Sequence, residues 1–145
     1  MSTNPPGDTV TAVPRTTRNR RLQILAIPIL AFILAEIFIG NSLAGESGPY
    51  STGVLVAHVG IAIFLVLVSG FTVGVSFRLP RRGARGVALL THLSLLGATI
   101  SGALFLWAGG SNDALYGMEG LAAVAFLGAI FLLFAGAVPV PAAPS

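Results

Sequence analysis

Four long stretches of apolar residues, separated by short polar segments, dominate the hydrophobic pattern of this sequence. They cover residues 22–43, 53–77, 87–108 and 115–138. Each run is long enough to cross the ~30 Å hydrocarbon core of a bilayer as an α-helix, which takes ~20 residues. A signal peptide has a shorter apolar core of about 7–15 residues, so the first run is predicted to be a membrane anchor. The pattern therefore predicts an all-α integral membrane four-helix bundle.

The two ends of the chain lack this pattern. Residues 1–21 contain Pro5, Pro6 and Pro14 among small polar residues and show no apolar periodicity, which is typical of a disordered tail. Residues 139–145 contain three more prolines, and proline interrupts a helix. The predicted organisation is one transmembrane domain, residues 22–138, between two short tails.

The arginines indicate how the chain is oriented. All eight basic residues are arginines, and they form two groups: Arg15, Arg18, Arg20 and Arg21 before the first run, and Arg78, Arg81, Arg82 and Arg85 between the second and third runs. Arginines near the ends of spans stay on the cytoplasmic side. The segments after the first and third runs have acidic residues instead, Glu46 and Asp113. We therefore expect a multi-pass protein of the plasma membrane with both termini cytoplasmic.

Composition narrows the possible chemistry. The chain is 54% hydrophobic and 9% charged, with a mean hydropathy of +0.89, so the lipid bilayer is its expected partner. It has no cysteine, which excludes disulfides, thiolate metal sites and cysteine nucleophiles. It also has no HExxH, GxSxG or phosphate-loop motif, so enzymatic activity is not expected. The basic residues flank apolar spans without interleaved aromatic residues, and this does not indicate nucleic-acid binding.

The chain contains a weak internal repeat. The sequence HVGIA at residues 58–62 aligns with MEGLA at residues 118–122, and the span before each passes through a glycine, Gly40 or Gly102. Two tandem helix pairs would explain this alignment. Chance recurrence of small apolar residues is the alternative.

Small and hydroxyl residues follow helical spacing within the runs. Glycine pairs or glycine with a small residue four positions on permit close helix packing, either inside the bundle or between copies in a homo-oligomer. In the second run, one helical stripe contains polar side chains and is expected to face the bundle. Its hydroxyl groups are expected to bond the backbone of their own helix. The stripe consists of His58, Ala62, Leu65, Ser69, Thr72 and Ser76.

Glu36 and His58 are the sharpest candidates for a polar site in the membrane. Glu36 lies about seven residues, or roughly 10 Å, from the outer end of the first run, and His58 enters the second run from the same side. An unpaired carboxylate at that depth is costly. A contact between the two would lower the cost of both and create a titratable site. The alternative is a protonated Glu36 hydrogen-bonded across the bundle.

Two further side chains could take part in a site. His92 enters the third run from the cytoplasmic side, roughly 15 Å along the membrane normal from His58, so the two histidines are not expected to bind one metal. Met118 begins the fourth run near the level of His58, close to Tyr116. Histidine and methionine form a known axial ligand pair for haem iron. Methionine also commonly fills gaps in apolar bundles.

This arrangement of spans resembles the four-helix haem-binding half-domain of the haem A synthase family over residues 22–138. The resemblance implies a b-type haem in the outer half of the bundle, with His58 as the second-helix ligand. In the fourth helix, Met118 stands in the region of the family's other histidine. Val59 follows His58 where the family tends to have arginine, and Leu55 lies where a catalytic glutamate would precede it. The resemblance therefore implies haem binding rather than synthase activity.

Three functions remain open from the sequence. The first is a small cytochrome-like protein that holds haem b through His58 and Met118 and transfers electrons. The second is a cofactor-free structural or accessory subunit of a larger membrane complex. The third is a small proton-coupled transporter that uses Glu36 and His58, with His92 as a further proton site.

Overall fold

The computed structural model describes residues 20–44, 51–79, 82–107 and 111–137. Within these ranges the chain forms four α-helices and no strand: α1, Arg20–Ala44; α2, Thr52–Phe77; α3, Arg82–Trp107; and α4, Asn112–Ala137. Most of the first predicted tail and the whole of the second lie outside the described residues, as does Glu46. The prediction of an all-α four-helix protein is confirmed.

Each helix is long enough for a membrane. All four combine length with apolar composition sufficient to span a bilayer, and 25 or 26 residues correspond to about 38 Å of helix. All four helices begin before their apolar runs: α2 by one residue, and the other three by two to five residues, at Arg20, Arg82 and Asn112. Polar residues can continue a helix beyond the hydrocarbon because its terminal backbone groups are then hydrated.

The helices pack as an antiparallel ring. Each packs against the helix before and after it in sequence, and α4 returns to pack against α1. Within the described ranges, the backbones of the diagonal pairs α1–α3 and α2–α4 do not come close. The arginine end of the bundle carries Arg20, Arg78 and Arg82. The opposite, arginine-free end carries Trp107 and Tyr116, whose exposed rings are typical of a membrane interface.

A layer of apolar side chains fills the middle of the ring. We call it the central apolar layer; it consists of Ile29, Ile33, Leu65, Leu95, Ala125 and Ala129. All four helices contribute to it, and each of these residues is buried. It separates the polar side chains at the arginine-free end from those nearer the arginine end.

Glycines bring α3 and α4 close together. A Cβ at Gly97 would lie 2.9 Å from Leu121 Cδ1, and one at Gly128 would overlap Thr91 Oγ1. In a bilayer, where helices gain little from hydrophobic exclusion, close packing of this kind drives their association. The α3–α4 interface is the most extensive in the bundle.

The polar stripe of α2 faces the bundle interior, as its spacing predicts. Ser69, Thr72 and Ser76 are buried. Their hydroxyl groups donate to carbonyls of the same helix, at Val66 (3.0 Å), Val68 (2.8 Å) and Val73 (2.7 Å). These bonds satisfy the hydroxyl protons locally, so most of the stripe is structural.

Candidate functional site

Glu36 and His58 meet in the arginine-free half of the bundle. Glu36 lies on α1 eight residues before its end, and His58 lies six residues after the start of α2. The antiparallel packing of α1 and α2 brings these positions level, and His58 Nδ1 contacts Glu36 Oε2. Of the two arrangements left open by the sequence, the structure contains the direct Glu–His contact.

The pair is shielded and has few other partners. The side chains are 15% and 14% exposed for His58 and Glu36. Beyond their mutual contact, no described residue supplies a hydrogen-bond partner to His58 Nδ1 or to either carboxylate oxygen of Glu36, and all three atoms are buried. Polar atoms at this depth normally find partners. Glu36 Oε1 is therefore an acceptor available to a bound molecule.

The pair lies in the wall of a cavity at the centre of the ring. The cavity has a volume of about 190 Å³ and is lined by all four helices. The backbones of the diagonal helices stay apart at this level, and small residues in the lining leave the space between them unfilled. These are Gly40, Ala62, Ala98, Gly102, Ala103 and Ala122.

One side of the cavity opens between α2 and α3. Gly70 of α2 faces α3, because a Cβ there would lie 3.3 Å from His92 Cε1. Ile63 lies seven residues, about two turns, before Gly70 on the same face. Ile63 and Val59 line the cavity yet are 53% and 42% exposed. They form an apolar part of the cavity wall that is exposed on the outside of the bundle, and we call this stretch the apolar window.

A second opening lies between α1 and α4. Gln23 Nε2 donates to Leu133 O across this interface (3.4 Å), which shows which face of α1 meets α4. Ile37 and Asn41 lie on the same face, about four and five turns further along. Both are exposed and line the cavity, together with exposed Glu119 of α4. This window has a polar rim.

Met118 reaches the same cavity from the helix diagonally opposite His58. Its Sδ would lie 3.2 Å from a Cβ at Gly102, and its Cε 3.8 Å from one at Gly40. His58 Cε1 would lie 3.7 Å from the same Gly40 position. The structure thus brings Glu36, His58 and Met118 to one place. In the two halves of the internal repeat the aligned residues pack alike, His58 on Gly40 and Met118 on Gly102.

His92 lies apart from this group. Its Nδ1 is 2.9 Å from Ser69 Oγ, on the other side of the central apolar layer. The Ser69 hydroxyl also lies 3.0 Å from Val66 O of its own helix, so this contact joins the His92 ring to the buried face of α2. His58 and His92 therefore lie in different parts of the bundle, and the described residues contain no group of three or more His, Cys, Asp or Glu side chains that could hold a metal ion.

The cavity is acidic. Glu36 and Glu119 line it, while none of its lining residues is an arginine. The described arginines lie at the opposite end of the bundle, where Arg85 donates to Leu79 O through Nε and Nη2 (3.2 and 2.6 Å). An anionic group in the cavity would find no arginine among the described residues there, and the imidazole of His58 already contacts Glu36.

Thr99 and Asn41 are lining residues that the sequence analysis missed. Thr99 lies on α3 three residues before Gly102, and its hydroxyl donates to Leu95 O (2.9 Å). Asn41 follows Gly40 directly. The sequence did offer a signal for both: each lies within one helical turn of Gly40 or Gly102, the two aligned glycines, and therefore at nearly the same depth in the membrane.

Comparison of the chain with protein-family models, with curated proteins and with solved structures finds no match.

Proposed function

We propose that this multi-pass membrane protein binds a small, lipid-soluble molecule in the cavity beside Glu36 and His58. The observation that carries the proposal is an apolar cavity, open to lipid, with a shielded carboxylate–imidazole pair in its wall. Apolar cavities with a few converging polar groups are the usual form of small-molecule sites.

The cavity volume limits the size of the ligand. An apolar cavity of about 150 Å³ in another protein is large enough to bind benzene. The volume here is about 190 Å³, so one six-membered ring with a short substituent fits. A longer tail would have to pass through one of the windows.

The openings determine the route of entry. Both windows face sideways from the bundle, where lipid is expected, and the window between α2 and α3 is rimmed by the apolar side chains of Val59 and Ile63. The central apolar layer closes the cavity towards the arginine end. A proton-coupled transporter would have to open that layer, so this conformation favours binding from lipid over passage through the bundle.

Binding in the cavity can be tested by NMR, with the methyl group of Met118 as the reporter. The chain has two methionines, Met1 and Met118, so labelling with [¹³C-methyl]methionine gives a simple spectrum, and the Met118 methyl lies beside the cavity. We expect toluene, titrated into the protein in lipid nanodiscs, to shift the Met118 resonance saturably. The aromatic ring current acts over short distances, whereas partitioning into lipid gives no saturation.

A matched pair of variants controls the experiment. Ala62 lines the cavity, whereas Ala57 on the same helix is exposed and does not. Ala62→Leu should abolish the saturable shift because the larger side chain fills the cavity, and Ala57→Leu should retain it. The proposal fails if wild-type protein shows only a linear, non-saturable change, or if Ala62→Leu responds as the wild type does.

Haem b is the second candidate, favoured by one observation. His58 and Met118 approach from diagonally opposite helices and flank the same glycine, Gly40. With His58 Nδ1 occupied by Glu36, Nε2 is the nitrogen that would bind iron, and Met118 Sδ could be the second ligand. Bound there, haem would supply one-electron transfer.

Size and charge make haem the less favoured ligand. A porphyrin is several times larger than a benzene ring, and the cavity is acidic, so the propionates would have no arginine partner within its lining. Protein produced with adequate haem should be examined for Soret absorption. If wild-type protein absorbs and His58→Ala removes this absorption, haem replaces the small lipid-soluble molecule as the favoured ligand. If wild-type protein does not absorb, or if His58→Ala leaves the absorption unchanged, haem is eliminated at this site.

A further inference from the structure

We infer that the molecule bound in the cavity is a lipophilic amine whose ammonium N–H donates to Glu36 Oε1. This inference rests on the proposed function and names the ligand's chemical class. Three features of the cavity support it: the unpartnered carboxylate oxygen of Glu36, the charge of the lining, and the absence of phenylalanine, tyrosine and tryptophan from the described lining.

The unpartnered oxygen of Glu36, Oε1, can accept a hydrogen bond from a ligand. Oε2 of Glu36 contacts His58, while Oε1 is buried and has no donor among the described residues. A carboxylate oxygen can only accept, so the complementary group on the ligand is an N–H or O–H. Hydrogen bonds to a charged carboxylate are stronger than neutral ones, and they strengthen further where water is excluded.

The charge of the lining selects a cation over an anion. Glu36 lies within the cavity and Glu119 at its rim, and no lining residue is an arginine. Placing a carboxylate or phosphate ligand here would bring like charges together in a poorly solvated space. An ammonium group instead compensates the charge of Glu36.

The ligand should retain an N–H rather than be a quaternary ammonium. Proteins bind quaternary ammonium groups with cages of aromatic rings. Among the described residues, no phenylalanine, tyrosine or tryptophan lines this cavity, and the lining is mostly aliphatic. A primary ammonium can bond to the carboxylate directly while its apolar body occupies the space between Ala62, Ala98 and Ala122.

Benzylamine is the probe that matches these requirements. It combines one ring with a primary ammonium, and its body suits a cavity of about 190 Å³. Toluene is the matched compound without the amine, and benzyltrimethylammonium keeps the charge but has no N–H. All three can be titrated while the Met118 methyl resonance is followed.

We expect benzylamine to bind more tightly than toluene and than benzyltrimethylammonium. Glu36→Gln should weaken benzylamine binding by about 10- to 100-fold, the usual effect of losing a hydrogen bond to a charged group. The same variant should leave toluene binding within about threefold of wild type, which also shows that the cavity is intact. Asp113→Asn, which changes an exposed carboxylate of α4 that does not line the cavity, should change benzylamine binding little.

Other results would overturn the inference. If toluene binds saturably and benzylamine binds no more tightly in the wild-type protein, the ligand class is wrong while the cavity function stands. If benzyltrimethylammonium binds as tightly as benzylamine, donation to Glu36 is wrong. If no probe gives a saturable shift, the proposed function fails and this inference with it. The wild-type comparison decides these outcomes even if Glu36→Gln does not fold.

Discussion

Gly128→Ala should destabilise the bundle by forcing α3 and α4 apart. The new Cβ would overlap Thr91 Oγ1 and lie 3.4 Å from Thr91 Cβ and 3.8 Å from its Cα. The hydroxyl cannot move freely, because it donates to Val87 O at 2.8 Å. Either that bond breaks or the helices separate, and overpacking of this kind costs about 1–3 kcal/mol.

The assay is reversible unfolding in mixed micelles, followed by loss of helical circular dichroism. Gly120→Ala is the matched control on the same helix, since a Cβ at Gly120 would have nothing within 4 Å. There, the substitution should be neutral or stabilising by up to about 1 kcal/mol, because alanine loses less backbone freedom on folding than glycine. Thr91→Ala, combined with Gly128→Ala, should recover most of the lost stability.

A clash between residue 128 and Thr91 is refuted if Gly128→Ala is as stable as Gly120→Ala, or if adding Thr91→Ala to Gly128→Ala recovers none of the lost stability. Such a result would mean that α3 and α4 approach less closely than the structure indicates. The perturbation also has a readout at the site. Met118 packs on Gly102 across the same interface, so separation of α3 and α4 should shift the Met118 methyl resonance in Gly128→Ala and leave it unchanged in Gly120→Ala.

Two further predictions use the same unfolding assay. Glu36→Leu should lower the free energy of unfolding by about 1–3 kcal/mol, because it leaves His58 Nδ1 buried without a partner. The double variant with His58→Leu should lose less than the sum of the two single variants, since replacing both members leaves no unpaired polar group. Strict additivity would contradict this. Ser69→Ala removes the hydrogen-bond partner of His92 Nδ1 and should cost about 1 kcal/mol or more. Thr72→Val loses only a bond within its own helix and should cost less. Equal losses would show that the His92 contact contributes nothing.

The number and type of elements were predictable from the sequence. Four apolar runs of more than 20 residues leave few alternatives, because in lipid every backbone polar group must be bonded within its own segment. Helical periodicity also placed the stripe of Ser69, Thr72 and Ser76 on the inner face of α2, where the structure has them. Short connections require consecutive helices to be antiparallel, and this placed Glu36, His58 and Met118 at one level.

The sequence alone did not determine that Glu36 and His58 touch or that a cavity adjoins them. In a membrane helix both the lipid-facing and the inward-facing sides are apolar, so hydrophobic periodicity says little about how each helix is rotated. Rotation is decided by packing, here by the close contacts at Gly97 and Gly128 that join α3 to α4. Only that tertiary arrangement keeps the backbones of the diagonal helices apart and gathers small residues from all four helices around one cavity. It also leaves Glu36 Oε1 beside this cavity without a hydrogen-bond partner among the described residues.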